Sequence, residues 1–408
     1  MNILLVSQYF WPESFIINEL AQELVLQGHS VRVFTGKPNY PSGQIYPGYS
    51  QHDCMNEVFI PGVPVFRVPL RPRKQKGGFN LFLNYCSFVY HGIKFFPKAI
   101  EGQKIDVILA FGWSPITAVI PAIILKWKTK AHLAVWIQDL WPESLKATGY
   151  IKNRFILGML KYLVRWIYCS SDTLLVQSKS FIQQVAQIAP RKHVIYYPNS
   201  LAVTRQSVTD LPSDILHILE TYRCFIFAGN LGIAQALDTL LDAAKALGHL
   251  EQFRLIIVGD GSRYEHLAAR IKHESLHHVM LVGRYPMDVM PAFFSRAAGL
   301  IVSLTNDPIF SYTIPYKTQS YLAAGRPIIA ALNGEGAAVV NEAGAGLTCH
   351  AEDSLGLQHC IETLYAMTDE ERDKLGQAGR AYFMEHFEMS TQVTRLVEIL
   401  QDRIKVTG

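Results

Sequence analysis

The chain begins the same kind of unit twice, and that repetition limits its fold more than any other feature. Residues 225–232 read Phe-Ile-Phe-Ala-Gly-Asn-Leu-Gly, just past the midpoint of 408 residues. An apolar run stops at two glycines, and a helix is predicted over 236–247. A strand that enters a glycine turn and then a helix is how a Rossmann-type half starts. Its backbone N–H groups and helix N-terminus face the place where a diphosphate would sit. Residues 2–35 make a similar start: an apolar strand over 2–7, a loop at 8–13, a helix over 15–27 stopped by Gly28, and a strand over 29–35. Short loops at each junction imply parallel strands. The expected architecture is therefore α/β, with two Rossmann-like domains facing each other across a cleft.

Length and composition agree. A chain of 408 residues exceeds what one core usually holds. Hydrophobic residues make up 49%, charged residues 18%, and mean hydropathy is +0.12. Such a balance suits either a large buried core or contact with a membrane surface. The sequence has no uncharged apolar run long enough to predict a transmembrane helix. The N-terminus lacks the basic region and small-residue cleavage site of a signal peptide, so a cytoplasmic protein is expected. Six cysteines are scattered without a C-x-x-C pair, which argues against a zinc site or a disulfide framework. Net charge is +4, too small to point to nucleic acid.

The pattern places the first domain at 1–200, a Pro/Ser/Thr-rich linker near 198–214, and the second domain at 205–384. Strand 328–331 is the last clear one, and the terminal helix, 385–408, is expected to pack back on the first domain. In the second domain Gly229-Asn230-Leu231-Gly232 is one strand-end turn and Val258-Gly259-Asp260-Gly261-Ser262-Arg263 a second; Gly283-Arg284 ends a third strand. One such turn needs glycine with or without a ligand. Several on successive parallel strands share the carboxyl edge, where ligands bind. A helix is predicted after Pro315, with Lys317 in its first turn. The helix dipole disfavours a cation there. Two readings stand: a solvated lysine, or a lysine whose conflict a bound anion removes. Asn333-Gly334-Glu335-Gly336 forms a further glycine turn.

Taken together, Ala-Gly-Asn-Leu-Gly at 228–232, Val-Gly-Asp-Gly at 258–261, Tyr-Leu-Ala-Ala-Gly-Arg-Pro-Ile-Ile-Ala at 321–330 and Glu-Ala-Gly-Ala-Gly-Leu at 342–347 resemble the donor domain of GT-B glycosyltransferases. The similarity is to the retaining family 4 enzymes of bacterial surface polysaccharide synthesis. Gln8-Tyr-Phe-Trp-Pro-Glu13, Gln138-Asp-Leu-Trp-Pro-Glu-Ser144 and Val194-Ile-Tyr-Tyr-Pro-Asn199-Ser carry the resemblance into the first domain. It extends over essentially the whole chain and is strongest to a subgroup that includes the N-acetyl-L-fucosamine transferase of O-antigen synthesis and a colanic-acid glycosyltransferase. The resemblance implies a UDP-sugar donor on the second domain and a polyprenyl-diphosphate-linked sugar acceptor on the first, with no metal and no other cofactor. Donor contacts would come from Gly229, Asn230, Gly232, Gly259, Arg263, Gly283, Arg284, Lys317, Ser320 and Glu335.

The chain departs from that pattern at four places. The family usually has two glutamates with seven residues between them before the A-x-G-x-P turn; in register here stand Tyr312 and Ser320. Family Arg and Lys at the first glycine turn are Asn230 and Gln235. Lys317, Arg263, Arg284 and helix N-termini would have to meet the diphosphate charge.

On the acceptor side, Asp139 follows strand 133–137 at its carboxyl edge. A carboxylate there orients or deprotonates a hydroxyl, or caps the next turn. Glu13 sits in the matching Trp-Pro-Glu loop. Finally, Arg71, Arg73, Lys74 and Lys76 precede an aromatic helix with Phe79 and Phe82. That combination suits an anionic membrane surface or a packed helix after a solvated loop. A protein peripheral to the inner membrane face is the expectation. A UDP-sugar 2-epimerase and a non-catalytic sugar-nucleotide-binding scaffold remain alternatives.

Overall fold

A computed structural model describes residues 1–74, 78–147, 153–203 and 211–407. Lys76 and residues 204–210 of the expected linker lie outside the described residues. The chain forms two compact units, residues 1–200 with 389–408, and residues 201–388.

The first unit runs β1 (Asn2–Val6), α1 (Ile16–Leu26), β2 (Ser30–Thr35), β3 (Met55–Val58), β4 (Pro64–Arg67), α2 (Gly78–Ala99) and β5 (Val107–Gly112). It continues through α3 (Ile120–Thr129), β6 (His132–Ile137), α4 (Glu143–Ala147), α5 (Arg154–Ser170), β7 (Thr173–Val176), α6 (Lys179–Ile188) and β8 (His193–Tyr196). The sheet order is β3-β4-β2-β1-β5-β6-β7-β8, parallel except for the β3–β4 pair. β5 and β6 are buried along their whole length. Strands covered by helices on both faces must be apolar throughout, and Val-Ile-Leu-Ala-Phe-Gly and His-Leu-Ala-Val-Trp-Ile nearly are. α2, α3, α5 and α6 pack in sequence as one helical layer, while α1 lies on the other face of the sheet.

The second unit runs α7 (Ser213–Thr221), β9 (Arg223–Ala228), α8 (Leu237–Ala246), β10 (Phe253–Val258), α9 (Tyr264–His273), β11 (Val279–Gly283), α10 (Met290–Phe294) and β12 (Gly299–Ser303). Then come α11 (Pro308–Ser311), α12 (Tyr316–Ala324), β13 (Ile328–Ala331), α13 (Glu335–Glu342), β14 (Gly346–Cys349), α14 (Ser354–Ala366) and α15 (Asp369–His386). Its sheet order is β11-β10-β9-β12-β13-β14, parallel throughout. Strand order reverses at β9/β12, and in such sheets ligands bind outside the carboxyl ends of strands at that reversal. The last helix, α16 (Met389–Thr407), belongs to the first unit. Its Val393, Leu396 and Leu400 share a core with Leu20, Ala21 and Leu24 of α1.

Several elements differ from the sequence expectation. Strand β14 follows the one taken as last. Its four residues start at Gly346 and none is fully buried, so no apolar run marks it. α6, α7 and α11 are further helices that the pattern did not separate from their loops. Helix α7 begins at Ser213, inside the stretch read as linker.

Candidate functional site

Three strand ends of the second unit are joined into one surface. The Gly229 N–H donates to Val258 O (2.9 Å), the Leu231 N–H to Asp260 O (2.9 Å), and the Gly259 N–H to Gly283 O (2.7 Å). Two glycines make this possible. A Cβ on Gly259 would lie 1.8 Å from Gly229 O, and one on Gly229 would lie 2.4 Å from Lys317 Cε. Both have positive φ, 150° and 138°, a region costly for residues with a Cβ.

A cavity of about 490 Å³ opens on this surface. Gly229, Asn230, Gly259, Asp260, Gly261 and Arg284 form its polar side. Tyr285, Met287, Met290 and Phe294 give an apolar side, and α12 contributes Tyr316, Lys317, Ser320 and Tyr321. Tyr321 is buried, and its hydroxyl accepts the Ala228 N–H at 3.0 Å, which fixes α12 against the end of β9. A flat apolar side beside glycine turns and a helix N-terminus suits a nucleoside carrying a diphosphate. A second cavity, about 700 Å³, lies at the ends of β13 and β14, away from the strand-order reversal.

Lys317 stands in the first turn of α12. Its Nζ donates to Gln235 Oε1 at 2.5 Å and lies 3.8 Å from the centre of the Phe227 ring. Among the described residues no carboxylate pairs with it. Burial without a counter-charge lowers its pKa to about 7. The side chain is therefore held by a neutral amide and an aromatic face, and an anion placed there would restore its charge.

The first unit has two polar clusters at strand carboxyl ends. Glu13 is 2% exposed. Its Oε1 accepts the N–H groups of Asn39 and Tyr40, both at 2.7 Å, and Oε2 that of Phe10 at 3.3 Å. Burial raises its pKa to about 7, although those N–H groups act the other way. In this structure the Glu13 carboxylate accepts three backbone N–H groups and braces the loop at 37–40. Nearby, Asn84 accepts from Gln8 Nε2 (2.7 Å) and donates to Arg71 O (2.5 Å).

Asp139 is partly exposed beyond β6, and burial raises its carboxyl above the usual range. Beside it, the Gln138 carbonyl accepts Gln177 Nε2 at 3.0 Å, and Gln177 Oε1 accepts from Asn199 at 3.4 Å. Gln138 Nε2 and Trp141 Nε1 are buried and have no hydrogen-bond partner among the described residues. Buried donors of this kind usually have one. The segment after β6 therefore holds a half-buried carboxyl group and two buried, unpartnered donors within four residues of sequence.

Residues 15–200 match the family model described as "Glycosyl transferase 4-like domain", and residues 222–367 match "Glycosyl transferases group 1". The chain is a GT-B glycosyltransferase. This glycosyltransferase is 25% identical over 340 residues to the "Putative colanic acid biosynthesis glycosyl transferase WcaI" of Escherichia coli (strain K12), covering 80% of this chain and 82% of that protein. Its fold is similar to that of sucrose-phosphate synthase from Thermosynechococcus elongatus, with TM-score 0.73, 16% identity and 99% of both chains covered. It is also similar to Anabaena Alr3699/HepE, solved in complex with UDP, with TM-score 0.66, 14% identity, 98% of this chain and 100% of that one.

Of the expected donor contacts, Gly229, Asn230, Gly259, Arg284, Lys317 and Ser320 line the 490 Å³ cavity of the glycosyltransferase. Gly283 lies just behind, its carbonyl taking the Gly259 N–H. Gly232 packs against Asn230 instead of lining the cavity. Arg263 is drawn to the carboxylate of Asp238 in the first turn of α8, so its charge is already matched. Glu335 opens α13 beside the second cavity. Tyr285, Met287, Tyr321 and Gln177 were not singled out from sequence. Tyr285 and Met287 follow the third strand end, and the Gly283-Arg284 signal could have led to them.

Proposed function

We propose that this glycosyltransferase takes a UDP-sugar and transfers its glycosyl group, with retention, to a polyprenyl-diphosphate-linked sugar in bacterial surface polysaccharide synthesis. The donor sugar in this reading is N-acetyl-L-fucosamine or a related deoxyhexosamine. The observation that carries the nucleotide half is Lys317, a half-buried lysine with only neutral contacts at a helix N-terminus, beside joined glycine turns. Support for uridine comes from the UDP held by the Anabaena relative of the same fold. The name of the E. coli relative, with its reference to colanic acid, supports a polysaccharide product.

The reaction separates a nucleoside diphosphate from an oxocarbenium-like sugar. The chain's part is electrostatic: Lys317 and the α12 N-terminus stabilise the negative charge that grows on the departing diphosphate. Asp139, with its raised pKa, orients the acceptor hydroxyl and takes its proton. Ser320 replaces the charged ribose contact of the wider family with a hydroxyl. No metal is needed in this reading, so turnover survives chelation. The protein works at the cytoplasmic face of the inner membrane, where such acceptors reside.

A donor screen with UDP-, GDP- and ADP-sugars and a synthetic lipid-diphosphate sugar tests this. Disaccharide formed from a UDP donor, and lost in Asp139→Asn with UDP affinity intact, is the expected result. Release of an epimerised free sugar would instead identify an isomerase, and binding without turnover a scaffold.

A further inference from the structure

Helix α5 is apolar on two opposite faces. Val164, Ile167 and Tyr168 are buried against the sheet. Phe155, Met159, Tyr162 and Trp166, spaced four, three and four residues apart, share the opposite face and are exposed, Phe155 by 76% and Tyr162 by 78%. A helix on a globular protein normally turns polar residues outward. Its Asn153 cap, which accepts the Phe155 N–H at 2.9 Å, shows that the helix start is built in rather than frayed. The neighbouring helices repeat the pattern. α2 exposes Phe79, Phe82, Tyr90 and Ile93, and α3, which packs between α2 and α5, exposes Trp127. Apolar patches of this extent mark interaction surfaces.

Charge decides the occupant. α2, α3 and α5 contain no Asp or Glu. They carry Lys94, Lys98, Lys126, Lys128, Arg154, Lys161 and Arg165. On α5 the three cations Arg154, Lys161 and Arg165 lie along one flank of the aromatic stripe, and none forms an ion pair among the described residues. On the other face of the same sheet, α1 carries Glu19 and Glu23, and α16 carries Glu398 and Asp402. Acids are thus absent from these three helices themselves, although Lys128 meets Glu101 and Lys126 meets Asp172 at the end of α3. A protein partner would be met by mixed charges. The α5 cations, beside outward aromatic rings, match the headgroup layer of an anionic bilayer.

We propose that the α2–α3–α5 face is the surface by which this protein lies on an anionic lipid membrane, with Phe155, Met159, Tyr162 and Trp166 entering the interface and Arg154, Lys161 and Arg165 meeting lipid phosphates. The inference rests on the reading of the chain as a membrane-surface enzyme and moves its main contact from the 71–76 segment to α5. Of that segment, Arg73 is held over the Tyr40 ring, within the fold.

The test is co-sedimentation of the full-length protein with vesicles of phosphatidylcholine plus phosphatidylglycerol, and with phosphatidylcholine alone. Two variants are compared with wild type: Lys161→Ser with Arg165→Ser, and Phe155→Ser with Tyr162→Ser. UDP affinity and thermal midpoint serve as folding controls, since these side chains are exposed. Wild type should favour the anionic vesicles. Each near-surface cation is worth roughly a fivefold gain in binding, so the charge variant should lose roughly thirtyfold. The aromatic variant should lose binding to both vesicle types. If wild type binds and both variants bind equally well, this surface assignment is wrong while the membrane reading stands. If wild type ignores both vesicles, the membrane reading fails and this inference fails with it. If the aromatic variant instead abolishes a dimer seen by sedimentation equilibrium and leaves vesicle binding unchanged, the face belongs to a second copy and the proposal is overturned.

Discussion

The contact state of Lys317 makes nucleotide binding a proton-linked event. Without a counter-charge its pKa is about 7, because burial penalises the ammonium. An ordinary lysine titrates near ~10.4. A diphosphate beside Nζ would favour the charged form and raise the pKa. The sign follows from linkage: the bound state holds more protons, so binding weakens as pH rises. Below about pH 7 Lys317 is already charged and the affinity is flat on its account. Above it, the dissociation constant should rise about tenfold per pH unit until the bound-state pKa is reached. Between about pH 7, where half of the lysine is still charged, and pH 9 that is roughly fiftyfold, or about 2.3 kcal/mol. Isothermal titration with UDP over this range measures it; the terminal phosphate of UDP, with its second pKa near ~6, is then already ionised. At about pH 8, titrations in buffers of different ionisation enthalpy should show uptake of about 0.9 proton per UDP. Lys317→Met should bind more weakly near neutral pH, with no slope and no uptake. A flat wild-type profile, or the same slope in Lys317→Met, would refute the reasoning.

Gly229→Ala places a Cβ 2.4 Å from Lys317 Cε at φ 138°; UDP binding should drop at least tenfold, read by the same titration, while the circular dichroism spectrum stays native. Glu13→Ala leaves the buried Asn39 N–H without an acceptor and frees the 37–40 loop; urea denaturation should show a loss of about 2–4 kcal/mol. The same measurement checks a pH dependence. Folding raises the Glu13 pKa to about 7, so wild type gains stability at low pH and loses it as pH rises through that value, a slope Glu13→Ala should lack. Tyr321→Phe removes the acceptor of the Ala228 N–H; it should cost about 1–2 kcal/mol in thermal unfolding and loosen amide exchange at the end of β9.

The fold was readable because most parallel strands are apolar runs, and several, such as Phe225–Ala228 and Arg254–Val258, lead straight into a glycine. β14 was not, because an edge strand of four partly covered residues needs no such run. Within the site, glycine positions were legible since few residues tolerate their backbone. Partnerships were not. Nothing in local sequence says that Arg263 meets Asp238, or that Glu13 meets the amides of Asn39 and Tyr40, since these pairs form only when separate loops converge. The outward stripe on α5 was hidden for another reason. An apolar residue at helical spacing gives the same pattern whether it faces the core or solvent, and only packing distinguishes them.

The bonds that tie Gly229 to Val258, Leu231 to Asp260 and Gly259 to Gly283 also govern how the nucleotide site is lost. Loops that bind ligands are often ordered only on contact, and each residue so ordered costs about 1–2 kcal/mol in conformational entropy. Here that cost was met when the sheet folded. The three strand ends should open together or not at all, so amide protection across 229–231 and 259–261 should fall in a single step under denaturant. A ligand arriving at this edge meets a surface already set, and its affinity is not reduced by the work of assembling one.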